Sequence, residues 1–283
     1  LQFTIKEKVA EFIQIICSRD QGKTLNANQL ISEGVRNDAL KVNLIYCPFV
    51  DPITPPVGIA SLKAYLEKYG NTNVQCMDLN LKWHKTLIAV EQAGKEAIRK
   101  GESLFNNSDN KFFNIDHYRN TSSEFIDVLH NIHDSTQYSL CRDNPPQKND
   151  IITFLKPLAL DGSPDVVGFS VLFDSQILCS LLLAKEIKKE NSGTIVVFGG
   201  AGMLSIGHQI IENSFVDFVV HEAGEAPFNE LLNCIRTGKF NESIPGVAYK
   251  KDGEVFNNKA IPGNLNHEAY PDFSDFQLEG YFT

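Results

Sequence analysis

Residues 164–200, "PDVVGFSVLFDSQILCSLLLAKEIKKENSGTIVVFGG", decide the fold. "DVVGFSV" (165–171) and "TIVVFGG" (194–200) are apolar runs of strand length, and "QILCSLLLAKEIKKEN" between them reads as a helix. Strands apolar along their whole length, joined through a helix, belong to a parallel sheet covered by helices on both faces.

The same alternation extends outward. Upstream lie the strand "VNLIYC" (42–47), a helix from near Pro56 to Gly70, and the strand "NVQCMDL" (73–79). Downstream, a helix runs from the glycines to about Asn213, followed by the strand "VDFVV" (216–220) and the helix "EAPFNELLNCIRTG". Right-handed crossovers then predict an α/β fold: a flavodoxin-like, Rossmann-like five-stranded parallel sheet of order 2-1-3-4-5. This domain is expected over 41–81 and 161–240.

Residues 82–160 lose the strand signal and read as a helical insertion, with helices near 83–100, 121–133 and 150–158. Trp83 is the expected anchor of that insertion. Residues 1–40 form an N-terminal helical extension: Ile5, Val9, Phe12, Ile13 and Ile16 share one helical face, and a weaker helix lies near 27–36. In 241–283, Asp252-Gly253 marks a hairpin. An extended linker follows, whose Tyr270, Phe273, Phe276, Tyr281 and Phe282 need a surface to lie on.

Composition excludes several functions. A net charge of −9 disfavours a nucleic-acid groove, and no window approaches the length of a membrane span. The first residues lack a signal-peptide core, and the six cysteines form neither CxxC nor a zinc set. A cytoplasmic protein is expected, with no metal site. His130 and His133, with His117 upstream, read as a solvated helix face, and His221 as a capping or surface residue. No nucleophile–base arrangement is visible, so no catalytic residue is assigned.

In such a sheet, ligands bind outside the carboxyl ends of the strands, at the switch point. The loops there are "PFVDPITPPVG" (48–58), "SVLFDSQ" (170–176), Gly199-Gly200 and "HEAGE" (221–225). The glycines follow the fourth strand with the wrong spacing for a dinucleotide fingerprint, and no P-loop is present. Ordinary βα turns, with glycine serving close helix–sheet packing, explain any one of these loops equally well.

Taken together, Ser170-Val171-Leu172 and Gly199-Gly200 resemble the Ser-x-Leu and Gly-Gly motifs of the cobalamin-binding domain. Glycine leaves room for the cofactor's bulky nucleotide tail, and a serine hydroxyl can bond it. "PPVGIASLKAYLEKYG", "PDVVGFSV", "VDFVVHEAGEAPFNELL" and "IPGVAYKKDGEV" extend the likeness, in order, to the N-terminal half of cobalamin-dependent radical SAM proteins. "KGESLFN" (100–106) and "PDFSDF" (271–276) resemble the peptide-modifying branch that matures ribosomally made peptides (RiPPs).

The resemblance implies a cobalamin-binding module of a methyltransferase-like enzyme. Ser170, Leu172, Gly199, Gly200, Thr54, Pro55, Gly58, Glu222, Gly224 and Glu225 would contact the cofactor. No C-x-x-x-C-x-x-C is present, so an iron–sulfur cluster and S-adenosylmethionine would belong to a radical SAM barrel outside this chain, in cis or in trans. The module would then be incompetent alone, with a precursor peptide as a further partner. Asp51 stands without the histidine of D-x-H-x-x-G, which implies His-off binding. Where the family has Gly-Glu-Gly-Glu, this chain has Glu222-Ala223-Gly224-Glu225, which adds bulk and charge at the rim. Two alternatives remain: a cofactor-free Rossmann-like interaction domain that binds a peptide or partner protein, and a flavin or nucleotide binder.

Overall fold

The computed structural model describes residues 26–32, 39–70, 72–90, 130–137, 140–141, 146–263 and 269–281, with Glu11, residues 13–16 and Asp127. "KGESLFN", His117, most of the predicted 4–17 helix and much of the insertion lie outside the described residues. Along the chain come α1 (Ala27–Ser32), β1 (Leu40–Tyr46), α2 (Val57–Tyr69), β2 (Thr72–Asp78), α3 (Leu79–Val90) and α4 (Pro146–Ala159). Then follow β3 (Val166–Ser170), α5 (Asp174–Glu190), β4 (Ile195–Gly199), α6 (Met203–Ile210), β5 (Phe218–Val220), α7 (Glu225–Thr237), β6 (Val247–Lys251) and β7 (Glu254–Asn257).

One sheet of seven strands runs β2-β1-β3-β4-β5-β6-β7. The first five are parallel in the order 2-1-3-4-5. The expected five-stranded sheet is therefore too small: β6 pairs antiparallel with β5, and β7 with β6. The hairpin turn at Asp252-Gly253 is present, with positive φ at both residues. What short-range sequence signals do not carry is that Val247, Ala248 and Tyr249 are buried against the main sheet.

Alternating side chains divide the core into two layers. Leu40, Val42, Leu44 and Tyr46 of β1, with Ile195 and Val197 of β4, pack under α1, α2 and α7. Ile45 and Cys47, with Val196 and Phe198, pack under α4, α5 and α6 on the opposite face. Trp83 is partly buried against this second layer.

The segment expected to be an extended linker is tied to the domain. Lys63 Nζ, on a side chain only 7% exposed, lies 2.8 Å from Asp275 Oδ2 and donates to Ser274 Oγ at 3.0 Å. The same Asp275 oxygen accepts the Cys76 backbone N–H at 2.8 Å, which covers an open edge position of β2. Tyr281 donates its hydroxyl to Asp78 Oδ2 at 2.7 Å. Asp275→Asn removes the charge opposite a buried ammonium, so a loss of about 2 kcal/mol is expected. Chemical denaturation and faster hydrogen exchange at the Cys76 amide are the measurements.

A cleft at the carboxyl ends of the strands

On the α2/α7 face, the strand ends carry little side-chain volume. Ser170 of β3 pairs in register with Gly199 of β4, and Gly168 lies two residues earlier on the same face. The bulk is on the other face, where Phe169 and Phe198 stack with centroids 4.8 Å apart. Large residues on one face and small ones on the other leave a cleft between the sheet and the two helices. Its empty space, open mouth included, is about 690 Å³.

Walls of Leu44, Ile59, Leu62, Val197, Val220 and Phe228 make the cleft apolar. Ser170, Leu172, Gly199, Gly200, Gly58, Glu222, Gly224 and Glu225 all line it, whereas Thr54 and Pro55 do not. Those last two belong to the loop leading into α2, and the chain reaches the cleft only at Gly58, inside the helix. Ser170 Oγ has no hydrogen-bond partner among the described residues. Gly168 and Phe228, not singled out in the sequence, also line the cleft. Glycine inside a strand was the available signal for close approach at Gly168.

The glycines separate into two kinds. Gly200 has φ +99°, and a Cβ there would lie 2.4 Å from the Val171 carbonyl oxygen. A Cβ at Gly202 would meet the same oxygen at 3.0 Å, and one at Gly168 would meet Leu44 Cδ2 at 2.9 Å. At Gly200 backbone and packing both require glycine, whereas at Gly202 and Gly168 an added Cβ would press on Val171 and on the tip of Leu44. At Gly199 the nearest atom to an added Cβ is the Val220 carbonyl oxygen at 3.5 Å, at Gly58 Ser170 Oγ at 3.9 Å, and at Gly224 Val220 Cγ1 at 3.8 Å. Those contacts are ordinary, so the protein's own packing does not demand glycine at Gly58, Gly199 or Gly224. Their missing side chains leave open space in the cleft.

The neighbouring loops are fastened from behind. Gln176, fully buried, accepts the Leu172 and Phe173 N–H groups at 2.9 and 3.2 Å and donates to the Cys47 carbonyl at 2.9 Å. It thus joins the loop after β3 to the end of β1. Phe49 is buried with φ 85°, a strained setting for a residue with a side chain. Asn80 Oδ1 accepts the Phe49 and Val50 N–H groups at 3.1 and 3.2 Å, and Ser175 Oγ donates to the Phe49 carbonyl at 2.7 Å. These positioning residues carry no sequence signature, because their partners are backbone atoms distant along the chain.

Of the two histidines expected on a solvated face, one departs from expectation. His133 is buried, not solvated, and its Nε2 lies 2.6 Å from Nε2 of the fully buried His84. His130 is exposed and 3.3 Å from Asp51 Oδ2. His221 is half-buried, and its ring packs so closely on Gly207 that a Cβ there would lie 2.5 Å from its Cε1. It does not line the cleft. Among the described residues, no three His, Cys, Asp or Glu side chains are grouped to hold a metal ion, and no helix is long and apolar enough to cross a membrane.

Part of this cleft falls in a stretch that is similar to a known domain. Residues 148–232 match the B12 binding domain, a stretch that includes β3, β4, β5 and the start of α7. The particular relatives are larger enzymes. Over 121 residues the chain is 28% identical to the uncharacterized methyltransferase PH0819 of Pyrococcus horikoshii, covering 42% of this chain and 26% of that protein. The cobalamin-dependent S-adenosylmethionine radical enzyme OxsB, solved with aqua-cobalamin, shares the fold at a TM-score of 0.51 and 18% identity. That match covers 84% of this chain and 24% of OxsB. The radical S-adenosylmethionine methyltransferase TsrM from Kitasatospora setae, with cobalamin and a 4Fe–4S cluster bound, aligns at a TM-score of 0.48 and 17% identity, over 82% of this chain and 31% of its own. The chain thus spans about a quarter to a third of the length of these proteins.

Proposed function

We propose that this chain is the cobalamin-binding module of a radical SAM enzyme of the methyltransferase type, acting on a peptide. The observation that carries the reading is the space at Gly58, Gly199 and Gly224, within or beside the stretch matched to the B12 binding domain. The residues present fit the group. Apolar walls suit an aromatic tail, and Ser170 Oγ supplies an unused donor and acceptor at the strand end. Leu172, Gly200, Glu222 and Glu225 would border the cofactor, with Gln176 holding the loop that carries Leu172. Thr54 and Pro55 are left out of this assignment.

Cobalamin bound there would supply a cobalt-centred methyl carrier. The chain's own part is to seat the tail, exclude water from it and fix the face it presents. His-off binding follows from Asp51 lacking a histidine two residues on. The iron–sulfur cluster and S-adenosylmethionine would sit in a radical SAM barrel in cis or in trans, so the module alone would be inactive. Support for the peptide-modifying branch and a precursor-peptide partner is the likeness at "KGESLFN" and "PDFSDF", and a cytoplasmic location fits the cysteine pattern.

The test is retention of hydroxocobalamin through gel filtration, read by its visible absorption. Near-stoichiometric retention is expected. Gly199→Leu fills the cleft from a position whose Cβ is unobstructed, so it should stay folded and lose at least about 100-fold in affinity. A folded wild-type protein that retains no corrin would overturn the assignment in favour of the cofactor-free interaction domain.

A further inference from the structure

We infer that Glu222 and Glu225 make the cleft selective for corrinoids with amidated side arms over forms carrying free carboxylates. The inference rests on the cobalamin reading above. Among the described residues that line the cleft, three have polar side chains, Ser170, Glu222 and Glu225, and none is Lys, Arg or His. Anionic groups of a ligand therefore find no cation among the lining residues, and Lys63 on α2 is already held by Asp275 at 2.8 Å. Neither carboxylate accepts a hydrogen bond from, or forms an ion pair with, a described residue. Glu222 is fixed at the corner between β5 and α7 with φ 59°, and Glu225 is the first residue of α7.

Two carboxylates without hydrogen-bond partners among the described residues, beside an apolar cleft, call for N–H donors where the ligand's rim meets them. A compact hydrated cation would find apolar walls and, besides the two carboxylates, only the Ser170 hydroxyl among the described lining residues. A corrin periphery meets the requirement, since its side arms end in primary carboxamides. An amide N–H donates to a carboxylate in a charge-assisted hydrogen bond. Hydrolysis of one arm to its acid removes the donor and sets like charges face to face, so the two forms differ where these residues stand. Biosynthetic precursors with unamidated arms would be turned away by the same contacts.

The experiment measures affinities for hydroxocobalamin and for its separated propionate monoacids, by quenching of Trp83 fluorescence and by corrin retention. Wild-type protein is expected to bind at least one monoacid on the order of tenfold more weakly, and added salt should narrow the gap. In the double variant Glu222→Gln, Glu225→Gln, the discrimination should shrink to about twofold, while cobalamin itself binds more weakly because charge-assisted hydrogen bonds become neutral ones. Equal affinities in wild type, or undiminished discrimination in the double variant, overturns the inference and leaves the cobalamin assignment standing. Failure to retain any corrinoid overturns the assignment and the inference with it.

Discussion

Gly200→Ala is expected to destabilise the protein by about 3 kcal/mol or more, while Gly199→Ala changes stability by less than about 1 kcal/mol. The two glycines are adjacent, yet their surroundings differ in kind. Gly200 has φ +99°, which alone costs a residue with a Cβ roughly 1–2 kcal/mol. The added atom would also lie 2.4 Å from the Val171 carbonyl oxygen. That oxygen cannot yield freely, because it accepts the Gly202 N–H at 3.0 Å, and the Val171 N–H donates to the Gly199 carbonyl at 2.8 Å. Relieving the clash means parting the ends of β3 and β4. At Gly199 the corresponding contact is 3.5 Å, so the alanine methyl enters the cleft without strain. Urea denaturation of both variants measures the difference. Equal losses would show that the two positions serve the same purpose, and the division between packing glycine and space-giving glycine would fall.

That division marks what the sequence could and could not disclose. Apolar runs alternating with helices announced the parallel order 2-1-3-4-5, because strands buried on both faces need no outside partner to be recognised. Most of the residues proposed for the cleft were legible as well, since the topology forces loops after β3, β4 and β5 to one edge. Hidden were interactions between residues far apart in the chain. Tyr249 shows nothing locally of its place beside Phe218 of β5, and Asp275 gives no hint of Lys63 or the Cys76 amide. Of the tail aromatics that wanted a surface, Tyr281 is buried and Phe276 packs against the core, whereas Tyr270 is 97% exposed and Phe282 lies outside the described residues. Thr54 and Pro55 were placed in the site with Gly58, as part of the loop after β1 at the ligand-binding edge. Nearness to a ligand-binding edge does not set direction, and this segment first reaches the cleft at Gly58.

Acid should weaken the protein steeply through the His84–His133 contact. His84 Nδ1 lies 2.7 Å from the Asn80 carbonyl oxygen, so that nitrogen carries the proton and donates. Its Nε2 is then an acceptor, and His133 Nε2–H points at it across 2.6 Å. Both rings are neutral in this arrangement. Protonating both rings would set two imidazolium ions together inside the protein, where α3 meets helical residues 130–137. Burial lowers the His133 pKa to about 3, helped by the neighbouring charges of His84 and His130. Burial lowers that of His84 too, partly opposed by the Asn80 carbonyl and the charge of Asp51. Because the folded values lie below the ordinary 6.5, the unfolded chain takes up protons that the folded one refuses. The contribution is therefore fully present above pH 6.5 and is lost progressively as the pH falls toward 3. The steepest loss is about 1.4 kcal/mol per pH unit for each histidine. His133→Gln keeps an amide donor toward His84 without a titrating group. Its stability should fall less between pH 6.5 and pH 4 than that of wild type, by about 1 kcal/mol or more per unit. Parallel slopes for the two proteins in urea denaturation would show that this buried pair does not govern the acid response.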